Sequence, residues 1–382
     1  MNATTLYLHI PYCKQACHYC DFHFSTQRST ESAVLEAMHA EMAMRSMQKP
    51  WNGATINSFY FGGGTPSFLA VTDLARLIDK AQSLYSFSPS IEITLEANPD
   101  DITPEKLEAW YSIGITRLSI GLQSFNTLEL QSMNRAHDAS HSIQCLEWIA
   151  NGPIKNYSVD FMYGMPGSTV ESWKRQLEQL ADYVPPHLSC YALTVEEKTV
   201  LYNDVRSGKT TLPSDEVIVA QFEALRAWAS AQGYTHYELS NFAQPDKYSR
   251  HNSHYWSGQP YLGIGPGAHS FDGKKRWWNI SNNVLYAKGA EVPSEKLTLI
   301  DLLNERLMVR LRTAKGFVWK SDVPVGLDHS RLERMKRNVQ TAEAKGLITC
   351  TANGFAILPD QWMQSDAIIA ELFLSPEERL FH

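Results

Sequence analysis

Three cysteines, Cys13, Cys17 and Cys20, stand near the start of the chain in a C-x3-C-x2-C spacing. Thiolates are soft donors that suit iron-sulfur clusters and zinc. A cubane cluster has four irons, so three thiolates leave one iron open to another ligand, and that open iron is where chemistry would occur. Zinc stays in view because His18 and His23 are close enough in sequence to complete a tetrahedral set. Disulfides are the bland alternative. Three local cysteines cannot pair evenly, however, and no charged-then-apolar leader directs the chain to an oxidising compartment, so we expect a cytoplasmic protein with reduced thiols. Cys145, Cys190 and Cys350 are isolated and read as small buried side chains rather than ligands.

The element before the triplet has to deliver it. Leu6, Leu8 and Ile10 alternate with Tyr7 and His9, which predicts a strand over 4–10, and Pro11 ends it and releases the cysteines into a loop. Further strands are predicted at 56–61, 91–96, 117–120, 157–161 and 188–193. Amphipathic helices are predicted at 31–47, 73–84, 104–111, 170–180 and 215–232, with Thr103 and Ser214 as N-caps. Alternating strands and helices imply a parallel sheet. Polar residues recur at nearly every strand's C-terminal end, which favours a partial (β/α)6 barrel over an open sheet with one switch point. The expected organisation is an α/β partial barrel over 1–240, then an aromatic, His-rich segment over 241–296 that closes it. A small winged-helix-like domain over 297–382 follows, with helices at 302–311 and 332–345 and a β wing at 347–358.

Composition narrows the function. The 382 residues are 43% hydrophobic and 11% aromatic, as in a folded globular protein, and the net charge of -7 argues against general nucleic-acid binding. No apolar run reaches the roughly 18 residues a membrane helix needs.

Polar groups then gather at the predicted strand ends. Gly62-Gly63-Gly64-Thr65-Pro66 follows the second strand, and its bare backbone lets a ligand approach closely, although such turns often only reverse the chain. It lacks the Gly-Lys-Ser/Thr of a phosphate loop. Beside an open-site cluster it has a specific use, because an amino acid's amine and carboxylate can chelate the fourth iron while a backbone edge holds the amine. Glu96 and Asp160, ending the third and fifth strands, stand where ribose hydroxyls could be gripped, or where carboxylates simply cap neighbouring loops. Gln123 and Arg135 complete the set, the latter able to pair with a carboxylate.

Together these residues resemble the radical S-adenosylmethionine superfamily. The resemblance spans nearly the whole chain and includes Tyr7-x-His9, the cysteine triplet, the glycine loop, Gly121-x-Gln123-x-Phe125 and Asp160-x-x-x-Gly164-x-Pro166-Gly167. It implies a [4Fe-4S] cluster on Cys13, Cys17 and Cys20. It also implies S-adenosylmethionine held by Tyr7, Gly63, Gly64, Thr65, Glu96, Gln123, Arg135 and Asp160, and one-electron cleavage of its sulfonium.

Within the superfamily the chain looks like the coproporphyrinogen dehydrogenases, with two departures. Those enzymes carry a fourth cysteine where this chain has Phe22, and a longer segment ahead of the first strand. Both departures suit a sister family, the HemW-type heme chaperones, as does the H-N-x-x-Y-W motif formed by His251, Asn252, Tyr255 and Trp256. That resemblance implies heme bound near His251, Tyr255 and Trp256 and delivered to acceptor hemoproteins, membrane-bound respiratory ones among them. His254 and His269 are rival iron ligands, and a structural role for the whole segment stays open. The alternative is an oxygen-independent coproporphyrinogen III dehydrogenase or another radical enzyme acting on a tetrapyrrole.

Overall fold

The computed structural model describes residues 3–375. Its strands are β1 (Ala3–Ile10), β2 (Thr55–Gly63), β3 (Ser86–Ala97), β4 (Arg117–Gln123), β5 (Asn156–Tyr163) and β6 (His187–Ala192). They continue as β7 (Thr235–Glu238), β8 (Asn241–Ala243), β9 (Tyr261–Ile264), β10 (His269–Phe271), β11 (Lys275–Trp278) and β12 (Ser294–Lys296). These form one 12-stranded sheet in the order β12-β11-β10-β9-β1-β2-β3-β4-β5-β6-β8-β7. From β9 through β1 to β6 the strands run parallel, with antiparallel strands at both edges.

In β1 the alternation works as expected: Leu6, Leu8 and Ile10 are wholly buried in the core, each contributing roughly 2 kcal/mol of apolar burial. Tyr7, pointing the other way, stacks on Tyr60 of β2, its register partner. Parallel pairing brings the C-terminal ends of β1–β6 to one face, so the side chains that end those strands must meet there.

The chain after β8 joins the same sheet. Glu41, in the helix Glu31–Ser46, fastens it: this buried carboxylate accepts bonds from the Gly265 amide at 3.1 Å, Asn279 Nδ2 at 2.9 Å and the Tyr286 hydroxyl at 2.7 Å. Arg45 lies 3.5 Å away as its counter-charge.

A smaller C-terminal region holds the helices Leu299–Arg310, His329–Ala344 and Ser365–Leu372. Its sheet comprises β13 (Phe317–Val318), β14 (Ile348–Thr351) and β15 (Gly354–Ile357), ordered β13-β15-β14. The β14–β15 hairpin is the expected wing, and β13 adds a strand the sequence did not announce. The whole is an α/β fold with a mixed central sheet and a small helical region bearing a hairpin.

Three local expectations need correction. Thr103 does cap its helix, accepting from the Lys106 amide at 3.2 Å, but the Ser214 side chain makes no cap bond. Several helices, among them Thr127–Ser132, Ala139–Asn151, Val200–Arg206, Arg250–Trp256 and Ser365–Leu372, were not anticipated. Cys145 and Cys190 are buried as expected, whereas Cys350 is only half-buried.

Candidate functional site

The glycine loop is shaped by what presses on it. Gly63 has φ +110°, and an added Cβ would lie 2.7 Å from the His9 ring; only glycine fits there. The Gly64 amide donates to the Ile10 carbonyl at 2.8 Å, which pins the loop against the end of β1.

From this loop a chain of hydrogen bonds runs between two of the cysteines. Thr65 Oγ1 donates to Cys13 Sγ at 3.4 Å, and Asn98 Nδ2 donates to Thr65 Oγ1 at 3.4 Å. Arg135 then donates to Asn98 Oδ1 at 2.7 Å and to Cys17 Sγ at 3.3 Å. The same guanidinium is anchored on the Gly121 carbonyl at 2.7 Å and the Tyr19 hydroxyl at 3.3 Å. Donors aimed at sulfur favour the thiolate over the thiol.

Cys13, Cys17 and Cys20 share one pocket of about 170 Å³ with Gly63, Gly64, Thr65, Glu96, Gln123, Arg135 and Asp160. Tyr7 is the exception among the expected contacts. It lies outside the pocket wall, with its hydroxyl 3.1 Å from His9 Nδ1. His18 and His23 also lie outside it: His18 Nδ1 bonds the Ser132 carbonyl at 3.0 Å and His23 Nε2 bonds Asn283 Oδ1 at 2.7 Å.

The carboxylates of the pocket are buried and poised. Burial pushes Glu96 up to about 7, against hydrogen bonds from the Tyr60 hydroxyl at 2.8 Å and the Gly63 amide at 3.1 Å. Burial, followed by the charge of Glu96, likewise raises Asp160 to about 7, and Ser119 Oγ donates to it at 3.2 Å. Gln123 holds a left-handed backbone, φ +67°, and the Tyr191 hydroxyl donates to its Oε1 at 2.9 Å. A non-glycine residue there is strained, and such strain clusters at functional sites.

The donor set fits a cluster. Burial raises Cys13 to about 11 and Cys20 to about 12, so their thiolates need a positive partner, which iron would supply. Among the described residues no three His, Cys, Asp or Glu side chains converge on one ion position. A cubane, by contrast, takes each thiolate on a different iron.

Residues 7–180 match the radical SAM superfamily. The chain belongs to it. Relatives covering most of their own length agree: it is 34% identical over 322 residues to the heme chaperone HemW of Mycobacterium tuberculosis, covering 81% of this chain and 82% of that one. The heme chaperone HemW of Synechocystis is 31% identical over 366 residues, 92% of this chain and 85% of that one. In fold, the chain is similar to the Escherichia coli coproporphyrinogen III oxidase, a radical SAM enzyme, with TM-score 0.82 and 21% identity, covering 97% of this chain and 90% of that chain.

Beside the pocket of this superfamily member lies a second, larger cavity of about 820 Å³. Tyr255, Trp256 and His269 line it; His251 and His254 do not. His251 is a core residue, 3% exposed, with its ring stacked on Tyr60 at 4.5 Å and Nδ1 2.7 Å from Thr5 Oγ1. Burial keeps it neutral by holding its pKa well below the usual value. His254 spends Nε2 on the Pro260 carbonyl at 2.8 Å.

Sequence reading passed over several side chains. Asn98, Ser119 and Tyr191 line the polar pocket and position its expected members, and Tyr60 supports Glu96. Asn98 could have been found, since it sits two residues beyond Glu96 at the same strand end. Phe22, noted only as a missing cysteine, is 68% exposed and lines both cavities.

Proposed function

We propose that this protein binds heme and passes it to acceptor hemoproteins, membrane-bound respiratory ones among them, while holding a [4Fe-4S] cluster and S-adenosylmethionine in the polar pocket. The observation that carries the reading is the meeting of a three-cysteine pocket and a larger aromatic cavity across one exposed side chain, Phe22. Relatives named heme chaperones support it.

In this reading Cys13, Cys17 and Cys20 hold the cluster, and Thr65 and Arg135 donate hydrogen bonds to the sulfurs of Cys13 and Cys17. Gly63 and Gly64 leave room for the amino group of S-adenosylmethionine. Glu96 and Asp160 accept from its ribose hydroxyls, and Gln123 is held for contact by Tyr191. Tyr7 acts from beneath, through His9, which packs under Gly63. When bound, the cluster and S-adenosylmethionine together supply one-electron chemistry. Tyr255 and Trp256 offer flat apolar faces to the macrocycle, and His251 holds their helix against β1 and β2 through Thr5 and Ser58.

The test is anaerobic. Reconstituted, reduced protein is given S-adenosylmethionine and coproporphyrinogen III, and heme is titrated in parallel. Stoichiometric heme binding without porphyrinogen conversion is expected. Conversion to protoporphyrinogen with matching 5'-deoxyadenosine would overturn the chaperone reading in favour of a dehydrogenase.

A further inference from the structure

The 820 Å³ cavity lies in the upper part of the roughly 300–1,000 Å³ range of small-molecule sites. Its walls come from three stretches far apart in sequence: the cysteine loop through Phe22, the segment from Asn252 to Arg276, and the helix Leu299–Arg310. Tyr255, Trp256, Tyr261 and Phe271 present aromatic rings to it, and only a few polar groups interrupt them. Flat apolar walls select a flat apolar ligand.

The polar interruptions are specific. His269 is the one histidine in the lining, and it is exposed, its ring stacked on Trp278 at 5.9 Å. Two guanidiniums also reach the lining. Arg276 is paired with Glu305 at 2.7 Å. Arg306 donates to the Asp322 carbonyl at 3.1 Å and, among the described residues, has no carboxylate within ion-pair distance. The nearby Asp322 carboxylate is already paired with Arg310 at 2.9 Å, so a ligand carboxylate would supply the direct partner that this half-buried cation lacks.

Resting on the heme-handling reading above, we infer that this cavity is the heme seat: His269 binds the iron, the aromatic walls hold the macrocycle, and Arg306, with Arg276, receives the propionates. The occupant follows from the combination. A nucleotide would want donors and acceptors along the walls, and a fatty chain would want neither imidazole nor a flat slot. An iron tetrapyrrole with two carboxylates engages the imidazole, the aromatic walls and the guanidiniums, with Asn252, Gln259 and Glu305 as the remaining polar lining.

Hemin and hemin dimethyl ester, which lacks the free propionates, are titrated into the full-length, cluster-loaded protein, with the Soret band as readout. The protein should bind hemin about tenfold more tightly than the ester, a preference that corresponds to about 1.4 kcal/mol. Arg306→Gln should erase that preference. His269→Ala should shift the Soret band and weaken hemin about tenfold or more, while the cluster absorption stays as it was. His254→Ala, outside the cavity, should leave the Soret band in place. Should hemin bind while both His269→Ala and Arg306→Gln behave as the parent, the seat is overturned and the heme-handling reading survives. If the parent protein binds no hemin, both fail together.

Discussion

The polar pocket and the aromatic cavity share Phe22 as a wall, yet they are held together differently. Around the pocket, Cys13, Thr65, Asn98, Arg135 and Cys17 are joined by consecutive hydrogen bonds, each of which fixes the next donor. Around the cavity, apolar side chains from distant stretches meet by packing, and the polar groups at the lining are few, Arg276 and Glu305 forming an ion pair among them. Pre-organised donors suit a site whose ligand must be placed to within a fraction of an ångström. Packed rings over a larger volume suit a ligand that is admitted and released, since such contacts are non-directional. A protein that both retains one group and hands on another needs one region of each kind.

The sharpest way to break this contrast is at the retained group. Cys17→Ser should lose nearly all of the cluster, read as iron content and absorption after anaerobic reconstitution, while the thermal unfolding of the metal-free protein changes little. The triplet lies in a loop outside the sheet, so a collapse of folding would show that the cysteines carry structural weight not assigned to them here. Next in size is Glu41→Ala. It strands the Gly265 amide, Asn279 and the Tyr286 hydroxyl, and the cost should be about 3 kcal/mol by denaturant titration. A loss below about 1 kcal/mol would mean that packing alone attaches the cavity-bearing segment to the barrel.

A third test uses the buried carboxylate. Glu96 titrates near pH 7 because burial disfavours its charge. Above that pH it is ionised and can accept from ribose hydroxyls and attract a sulfonium; below it the proton removes both. Affinity for S-adenosylmethionine should therefore weaken as pH falls from 8 to 6, by up to about tenfold per unit below the titration. Glu96→Gln should bind weakly and lose that pH dependence. An unchanged slope in the variant would move the titration to Asp160, which is raised for the same reason.

What the sequence disclosed divides along the same line. The cysteine spacing, the glycine loop and the polar ends of β2 to β5 lie within single local stretches, where side-chain type and strand period speak directly. The helix Ala139–Asn151 was missed although Asp138 caps it, accepting from the His141 amide at 3.0 Å; that signal was present. Strands β7 to β12 were missed for a firmer reason. They are three or four residues long, too short to show a period, and exist because long-range neighbours complete their hydrogen bonds. His251 shows the same limit: its motif left a ligand and a structural role open, and the contacts that bury it come from β1 and β2, about two hundred residues earlier. Phe22 belongs to both regions, and no local pattern reveals that.

The smallest expected effect is also the one that bears on the boundary itself. At Phe22 the ring is 68% exposed, so replacing it should cost little stability. Phe22→Cys would place a fourth thiol where the dehydrogenases carry one. If the wall between the regions works as an apolar face for the cargo, the substitution should weaken hemin binding several-fold and leave the cluster and the affinity for S-adenosylmethionine unaltered. Porphyrinogen turnover should stay absent, because the difference from the dehydrogenases would then reside in the whole aromatic cavity rather than in one missing thiol. Turnover gained with that single change would make Phe22 the switch between two activities on one scaffold, and the contrast between a retaining region and a releasing region would reduce to one side chain.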